Sequence, residues 1–479
     1  VLLYICSVFI LGGMTSCEDF LDKREDVGLT EDDIFRDYYS LRGFLDQSFN
    51  QLENVMVMDN WENGRAFVGL FADEMATTDN SSAVFTLHSG NWLSNAKSNK
   101  TFEIGNAGST AISRSYKALR INNRIINDID KAPLTPEQKN EILGQAYFYR
   151  SWFYFQIIKR YGGMPIIDKV FEGGDDDIPR MTYHESHDWM MEDIQKAIYM
   201  LPDSWDDPNY GRPTKIAAMA LKEWAQLFDA SPLMQNDLNS TENKGYDTER
   251  AKSAAKSAYE VIRYMDGSKS APYPYGLASK EEYTNVFYFK YPPVHQPEYI
   301  WVKRQFPNAA NQNQKRTIRT FWQYEDLAFG SGPDGNSMCC PSLNIVNMFD
   351  KKGADGIYYP IDDPRSGYAL DYDHKPFEDR DPRFYNNILL PGTTWGHYAD
   401  GRTYYITTYK GGAAYQHMLT QKDCNKRMFT GFMCKKFMWP ECNQYLEKNN
   451  PNCWWDYRFL TIYIRASQIY LDYAEALFE

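Results

Sequence analysis

The feature that most constrains the fold is residues 136–160, a long segment with a helical spacing of apolar side chains. Its apolar stripe consists of Ile142, Ala146, Tyr149, Phe153 and Ile157, and a recurrence every three or four residues is typical of one face of an α-helix. Pro136 favours a helix start, because its ring is pre-set for the first turn. Gly162 and Pro165 predict the end, since glycine can form a left-handed cap and proline blocks extension.

Other segments repeat this pattern. Helical spacing recurs in residues 31–60, 111–129, 251–264 and 465–479. A further helix begins at Thr214 and stops at Ser231 and Pro232. Paired helices at such separations suggest a stack of helix-turn-helix units. We therefore expect a mostly α fold of tetratricopeptide-like helix-pair repeats, with an N-terminal helical region over residues 31–265.

The character of the sequence changes between residues 266 and 460. Prolines, glycines, aromatic residues and short β-like runs at 286–291, 299–303 and 402–409 dominate there. We interpret residues 266–460 as a long, irregular, aromatic-rich insertion, and loops of this length usually carry function. Residues 461–479 then begin a C-terminal helical part. The chain starts on Val1 rather than Met and stops inside that predicted helix, so we expect it to be incomplete at both ends.

The first residues predict the cellular compartment. Residues 1–10 are apolar and are soon followed by Ser16 and Cys17, a run too short for a membrane span but typical of a signal peptide. Residues 14–17 resemble a lipobox, in which the signal is cleaved before a cysteine that is then acylated. We predict a signal peptide over residues 1–17, lipidation of Cys17 and a polar tether over residues 18–30. The alternative is a buried N-terminal strand with an ordinary cysteine.

The residues after the lipobox predict where the anchored protein goes. Glu18 and Asp19 resemble the acidic signal that sends lipoproteins to the outer face of the outer membrane in some two-membrane bacteria. Two or more acyl chains would anchor the protein stably. The expected location is therefore the cell outer membrane, lipid-anchored and exposed at the surface.

Charge and cysteine content exclude some partners. The chain carries 51 basic and 64 acidic residues, a formal net charge of −13, and so negative a surface repels nucleic acid. The cysteines that follow the lipobox are Cys339, Cys340, Cys424, Cys434, Cys442 and Cys453. They include no Cys-x-x-Cys pair, which disfavours a zinc site, and both disulfides and buried free thiols remain open.

The sequence contains no familiar catalytic arrangement. It has no Gly-x-Ser-x-Gly elbow, no phosphate loop and no Gly-x-Gly-x-x-Gly after a strand. His184 and His187 are three residues apart, whereas the zinc-binding His-Glu-x-x-His pattern stacks its ligands four residues apart. We interpret these histidines as part of a surface helix start.

Two acidic clusters are the remaining candidates for chemistry. Glu378, Asp379 and Asp381 are the most tempting carboxylates for glycoside hydrolysis, but their alternation with arginines favours an ion-paired turn. The run at residues 175–177 lacks the ligand spacing of a calcium loop, which favours a solvated loop. We therefore predict that the protein is not an enzyme and holds no metal or cofactor.

Several segments together resemble the SusD/RagB family of outer-membrane nutrient-binding lipoproteins. They are CEDFLD at 17–22, AYFYR at 146–150, RYGGMP at 160–165, GRPTK at 211–215, ASPL at 230–233, PS at 341–342 through MF at 348–349, DRDPRF at 379–384, and IR at 464–465 through DYAEA at 472–476. Their order and spacing agree over nearly the whole chain. Family members continue past the last of these segments, where this chain stops.

The resemblance implies a fold and a set of partners. The fold would be mostly helical, with four tetratricopeptide-like helix pairs and an elaborated loop region. The protein would sit on a TonB-dependent transporter of the SusC type and work with it in import. Most characterised relatives hold glycans, and some hold peptides.

Glycan binding needs an aromatic platform for the apolar face of a sugar and polar groups for its hydroxyls. The candidates, aromatic residues beside amides in polar, turn-rich stretches, are Asn60, Trp61, Asn63, Asn91, Trp92, Phe321, Trp322, Gln323 and Tyr324. We predict that Trp92, Trp322 and Tyr324 stack on the ligand, and that Asn91 or Gln323 bonds its hydroxyls. The alternative for each ring is an ordinary position in the core.

Three further functions stand beside glycan capture. Peptide capture within the same import system would use edge hydrogen bonds and apolar pockets. A surface glycosidase would need a catalytic carboxylate pair. A purely structural helical-repeat scaffold would leave the aromatic residues of the loops unexplained.

Overall fold

The computed structural model describes residues 30–52, 72–76, 111–171, 177–235, 244–270, 273–287, 296–304, 340–369, 375–397, 403–412, 430–436 and 460–479. The helices in these residues are α1 (Glu31–Phe35), α2 (Tyr38–Gln51), α3 (Ala111–Asp128), α4 (Pro136–Tyr161), α5 (Tyr183–Met200), α6 (Lys215–Ala230), α7 (Thr248–Gly267), α8 (Leu343–Asn347), α9 (Pro382–Asn387) and α10 (Ala466–Phe478). Across the described residues, no helix is both long enough and apolar enough to cross a membrane.

Helix α4 begins and ends as its sequence predicts. The Thr135 hydroxyl accepts the N–H of Gln138, and the Gln138 side chain accepts the N–H of Thr135, so the first turn is capped twice. The helix ends at Gly162, whose φ of 77° favours glycine. A Cβ on Gly163 would collide with the backbone that enters α5, which explains the second glycine.

The predicted helix over residues 31–60 is interrupted near its start. Asp37 adopts an extended conformation and accepts the N–H of Ser40, so it caps α2 and separates it from α1. Residues 53–60 lie outside the described part of the chain.

The long helices pack in chain order. Helix α3 contacts α2 and α4, α5 contacts α4, α6 contacts α5, α7 contacts α6, and α10 contacts α7. This succession of neighbouring helices confirms the mostly α, tetratricopeptide-like fold. The single apolar stripe predicted for α4 understates its burial, because nearly every side chain from Ile142 to Ile158 is buried. Neighbouring helices and a strand pair cover α4 on several sides.

A two-stranded antiparallel ribbon joins the helical core to the irregular region. Strand β2 (Tyr299–Arg304) pairs with β10 (Leu460–Arg465), with Tyr299 opposite Arg465 and Arg304 opposite Leu460. The Trp301 ring of β2 lies 4.8 Å from Phe148 and 4.7 Å from Trp152, measured between ring centroids. The chain therefore leaves and re-enters the helical core at one place, on the surface of α4.

The remaining short strands of the described residues also form pairs, and all of them except β1 lie in the irregular region of residues 266–460. The pairs are β1 (Met75–Ala76) with β3 (Cys340–Pro341), β4 (Lys351–Lys352) with β5 (Tyr358–Tyr359), β6 (Ile388–Leu389) with β9 (Met433–Cys434), and β7 (Thr394–His397) with β8 (Thr403–Tyr405). Val346, Phe384, Ile388 and Leu390 form a small apolar core there.

The β-like runs of the sequence have mixed outcomes. Strands β2 and β8 lie in the runs at 299–303 and 402–409. The prediction of a β-like run at 286–291 is wrong for its described residues, 286 and 287, because Asn285–Phe287 forms a 3₁₀ turn. Backbone bonds to the carbonyls of Glu282 and Thr284 close that turn locally.

Two cysteines are described. Cys340 and Cys434 are buried thiols, so the thiol alternative holds for both in this structure. Burial raises the pKa of the Cys434 thiol to about 12, and a protonated thiol is a poor nucleophile.

Candidate functional site

A cleft lined with aromatic residues lies between the loop that precedes α6 and strand β2. The cleft is small and partly open to solvent. We call it the aromatic cleft. The lining residues are Ser204, Trp205, Tyr210, Gly211, Arg212, Thr214, Tyr273, Tyr275, Tyr299, Ile300, Trp301 and Val302.

Local hydrogen bonds hold the loop 201–214 in place. The Trp205 indole donates to the carbonyl of Pro213 at 2.8 Å, and the buried Trp301 indole donates to the carbonyl of Gly211 at 3.2 Å. Gly211 has a φ of +98°, a conformation that side chains with a Cβ rarely adopt. The Thr214 hydroxyl then accepts the N–H of Ala217 and caps α6. These bonds hold the loop against β2 and α6.

Arg212 ties the cleft to the helical core. Its guanidinium donates to Asp46 Oδ2 at 2.8 Å and lies 2.8 Å from Asp46 Oδ1. It also donates to Gln145 Oε1 at 2.9 Å and to Asn209 Oδ1 at 3.3 Å. A bidentate arginine–carboxylate pair has a fixed geometry. Arg212 therefore acts first as a structural clamp between the loop, α2 and α4.

The turn at residues 273–276 also lines the cleft, through Tyr273 and Tyr275. The Tyr275 N–H donates to Ser268 Oγ at 2.9 Å, and the Gly276 N–H donates to the carbonyl of Pro297 at 3.0 Å. Burial raises the pKa of Tyr275 and also that of Tyr299. Both phenols are therefore protonated at neutral pH.

The chemistry of the cleft suits binding. Its twelve described lining residues include six aromatic rings and several hydroxyl groups, but no aspartate, glutamate, histidine, lysine or cysteine. General acid–base catalysis usually needs such a titratable side chain within hydrogen-bond reach of the reacting atoms. Aromatic faces beside hydroxyl groups are what an uncharged, hydroxylated ligand requires.

The residues that the sequence singles out for ligand binding are not among the described residues. Asn91, Trp92, Trp322, Gln323 and Tyr324 are outside the described residues, as are Trp61 and its neighbouring amides and the predicted lipidation site Cys17. Their roles stay predictions.

The cleft itself was missed by the sequence analysis, although a signal was present. Trp205 and Tyr210 flank a stretch rich in aspartate, asparagine and proline, and Tyr273 and Tyr275 alternate with prolines. This is the same pattern, aromatic residues in turn-rich surroundings, that selected Trp92.

The histidine pair lies at a helix start, as predicted, but not wholly at the surface. Thr182 and Glu185 cap α5 reciprocally. The surface interpretation is wrong for His187, which is buried: its Nδ1 lies 3.0 Å from Asp188 and 3.4 Å from Asp229. The reason is that α6 brings the buried Asp229 against this helix.

The histidine cluster has the shape of a metal site but a different charge balance. His187, Asp188 and Asp229 could offer three ligand atoms to one ion. Arg250 already pairs with Asp229 and lies 3.7 Å from Asp188. Because the guanidinium supplies the positive charge, we interpret the cluster as an ion-pair junction between α5, α6 and α7.

The acidic cluster near residue 380 is an ion-paired turn, as predicted. Asp381 caps α9 and pairs with Arg383 at 2.6 Å, and Glu378 pairs with Lys375 at 3.0 Å. The Arg383 contact lowers the pKa of Asp381, which opposes a role as a general acid.

Arg380 departs from this interpretation, because it is fully buried and bonds the backbone. Its guanidinium donates to the carbonyls of Val346 at 2.6 Å, Phe349 at 2.5 Å and Pro376 at 3.1 Å. It also lies over the Phe384 ring, 4.8 Å from its centroid. Arg380 therefore stabilises the irregular region by satisfying carbonyls that lack strand partners.

Two protein families match the chain over most of its length. A family described as starch-binding and associating with the outer membrane matches residues 19–223. The SusD family, whose model is named for SusD and RagB, matches residues 297–479. The chain belongs to the SusD/RagB family. The aromatic cleft lies where the two matched regions meet, since one wall is the loop 201–214 and the other includes β2.

Solved structures agree with the SusD/RagB assignment at the level of the fold. A SusD-like protein from Bacteroides fragilis is 20% identical with a TM-score of 0.65, and the match covers 93% of this chain and 76% of that one. A SusD-like carbohydrate-binding protein from the same species is 18% identical, with a TM-score of 0.64 and coverages of 93% and 74%. A laminarin-binding SusD-like protein is 16% identical, with a TM-score of 0.52 and coverages of 92% and 79%. No curated protein matches the chain.

Proposed function

We propose that this protein binds glycans at the cell surface and delivers them to a TonB-dependent, SusC-like transporter in the outer membrane. The observation that carries the proposal is the match of SusD-type families to both parts of the chain, 19–223 and 297–479. The SusD-like structures that bind laminarin or are described as carbohydrate-binding support the choice of glycan as ligand.

The chemistry of the described residues supports capture without catalysis. The aromatic cleft offers rings and hydroxyl groups, and the carboxylates of Glu378 and Asp381 are held in ion pairs. In the proposed mechanism an aromatic ring covers the C–H face of a sugar and amides bond its hydroxyls. Trp92, Trp322 and Tyr324, with Asn91 and Gln323, are the proposed platform in the loops.

The proposed anchor is the acylated Cys17. Two or more acyl chains retain a protein at a membrane, and many anchored copies would hold one polymer through effective concentration. A single site therefore needs only a modest affinity for the glycan.

The test is a binding screen with the purified chain in which Cys17 is replaced by Ala. A glycan array that includes laminarin and xyloglucan is probed beside a peptide library. Binding to glycans with no new reducing ends on prolonged incubation is the expected result. Binding to peptides alone would contradict the proposal, and release of reducing ends would replace it with a glycosidase.

A further inference from the structure

We propose that Cys340 and Cys434 form a disulfide in the exported protein, and that this bond fastens strand β3 to strand β9 in the irregular region. The structure shows the reduced pair. The inference goes beyond the proposed function and shares with it only the location outside the cytoplasm, where disulfides persist.

Strand pairing brings the two cysteines together from distant parts of the chain. Cys340 lies opposite Ala76 in the pair of β1 with β3, and Cys434 lies opposite Ile388 in the pair of β6 with β9. The Cα atoms of β3 all lie within 8 Å of those of β9, so Cys340 and Cys434 are neighbours. The Cα atoms of a disulfide are typically about 4.4–6.8 Å apart, a separation that requires at most a small adjustment of two such short strands.

The two thiols share one buried environment. Cys340 is 1% exposed and Cys434 is 7% exposed. Burial is the main cause of the raised pKa of the Cys434 thiol, and a negative charge on Cys340 would raise that pKa further. Because the interaction between two charges weakens with their separation, this coupling agrees with two sulfur atoms that lie near each other.

A bond between β3 and β9 would connect parts of the irregular region that the strand ladders leave in different sheets. Strand β3 pairs with β1, whereas β9 pairs with β6. Ile388 of β6 belongs to the small apolar core around Phe384, so the disulfide would tie β1 and β3 covalently to that core. Since the two cysteines are far apart along the chain, the bond would also close a long loop and reduce the conformational entropy of the unfolded state.

The bond forms by thiol–disulfide exchange, and its oxidant is the reactive disulfide of a thiol–disulfide oxidoreductase. The thiolate of one cysteine attacks that disulfide, forms a mixed disulfide and releases one thiol of the oxidant. The thiolate of the other cysteine then attacks the protein sulfur of the mixed disulfide and releases the second thiol. The two protein thiols thereby lose two electrons and two protons, and the oxidant takes them up to become a dithiol.

Burial determines when this exchange takes place. A thiol with a pKa of about 12 contains almost no thiolate at neutral pH, and the thiolate is the form that reacts. Oxidation therefore precedes the packing of β3 against β9. The finished bond is shielded from external thiols for the same reason, which makes it a permanent structural link.

The first experiment maps the pairing in the exported protein. The Cys17→Ala chain is exported to the periplasm of a bacterial host, denatured in iodoacetamide without reductant and digested with trypsin for mass spectrometry. We expect the peptide that contains Cys340 to be linked to the peptide that contains Cys434, and reductant should separate them. Recovery of both cysteines as alkylated thiols would overturn the proposal, as would a link from either one to another cysteine.

Three variants assign the bond to its two sulfur atoms. Cys340→Ser and Cys434→Ser should each abolish the linked species. Cys339→Ser is the matched control, because it changes the neighbouring cysteine on the same tryptic peptide, and it should retain the link. Loss of the link in Cys339→Ser alone would assign the bond to the wrong residue and overturn the proposal.

The second experiment measures what the bond contributes to stability. Refolding in a phosphine reductant should lower the melting temperature of Cys339→Ser by several degrees, because the unfolded chain regains its loop entropy. The same treatment should change the melting temperature of the double variant Cys340→Ala, Cys434→Ala by much less. An equal effect of the reductant on the two proteins would show that the bond does not fasten the irregular region.

Both experiments are independent of the proposed function, because neither of them measures glycan binding. Two alkylated thiols in an exported protein that binds glycans would overturn the disulfide and leave the proposed function standing. A mapped disulfide in a protein that binds no glycan would support the bond while the proposed function fails.

Discussion

Glu223 provides the sharpest test of the folded structure. It lies on α6 with no exposed surface, and within the described residues neither carboxylate oxygen has a hydrogen-bond partner. Burial raises the pKa of Glu223 well above its ordinary value, and the nearby charges of Asp472 and Glu475 on α10 raise it further. The native state therefore favours the protonated form of this carboxyl group.

Because the pKa of Glu223 is raised in the native state, the stability of the protein depends on pH. Above the unfolded-state pKa of about 4.5, the unfolded chain loses the proton while the native chain retains it. The free energy of unfolding then falls as the pH rises, by up to about 1.4 kcal/mol per pH unit for one proton. The fall ends where native Glu223 itself ionises. Stability from this group is complete only below the unfolded-state pKa.

Glu223→Gln removes the titration and keeps the shape of the side chain. Between pH 5 and pH 6 we expect the free energy of unfolding of the variant to exceed that of the parent by about 1 kcal/mol. At pH 4 the two values should differ little. Asp472, whose pKa burial raises to about 6, contributes a slope of the same sign that remains in both proteins. Urea unfolding at half-unit steps from pH 4 to pH 8, followed by far-UV circular dichroism, measures the difference.

Glu260→Gln, on the exposed face of α7, is the matched control and should follow the parent at every pH. The reasoning is refuted if Glu223→Gln also runs parallel to the parent across this range. It is refuted equally if the variant is less stable at pH 7, because that result would mean an ionised Glu223 with a cationic partner.

Three further predictions concern the anchor, the irregular region and the loop platform. Cys17→Ala should release the folded protein from membranes into the soluble fraction, and its retention in membranes without the transporter would contradict lipidation. Arg380→Met should destabilise the protein by about 3 kcal/mol or more in urea unfolding, since it leaves several buried carbonyls unsatisfied. Arg365→Met is an exposed control and should leave the stability nearly unchanged. Trp92→Ala and Trp322→Ala should each weaken glycan binding about tenfold in calorimetry with an unchanged melting temperature; unchanged binding with a lowered melting temperature would place these rings in the core.

The sequence alone determined the features that depend on neighbours along the chain. Helix α4 starts after Thr135 and ends at Gly162 as its pattern predicts, because caps, proline geometry and helical spacing act over a few residues. The order of helices and the family resemblance followed from the same local signals. The ion pair of Asp381 with Arg383 also falls within one turn.

Only the tertiary structure decided which distant residues meet. Nothing near His187 in the sequence indicates that Asp229 buries it, and nothing near Glu223 indicates the carboxylates of α10. The aromatic cleft joins loop 201–214 to the turn at 273–276 and to β2, and Asp46 reaches Arg212 from α2. Packing between distant segments sets the burial and the electrostatic environment of each residue. A local sequence pattern describes only the neighbours along the chain, so it cannot predict either property.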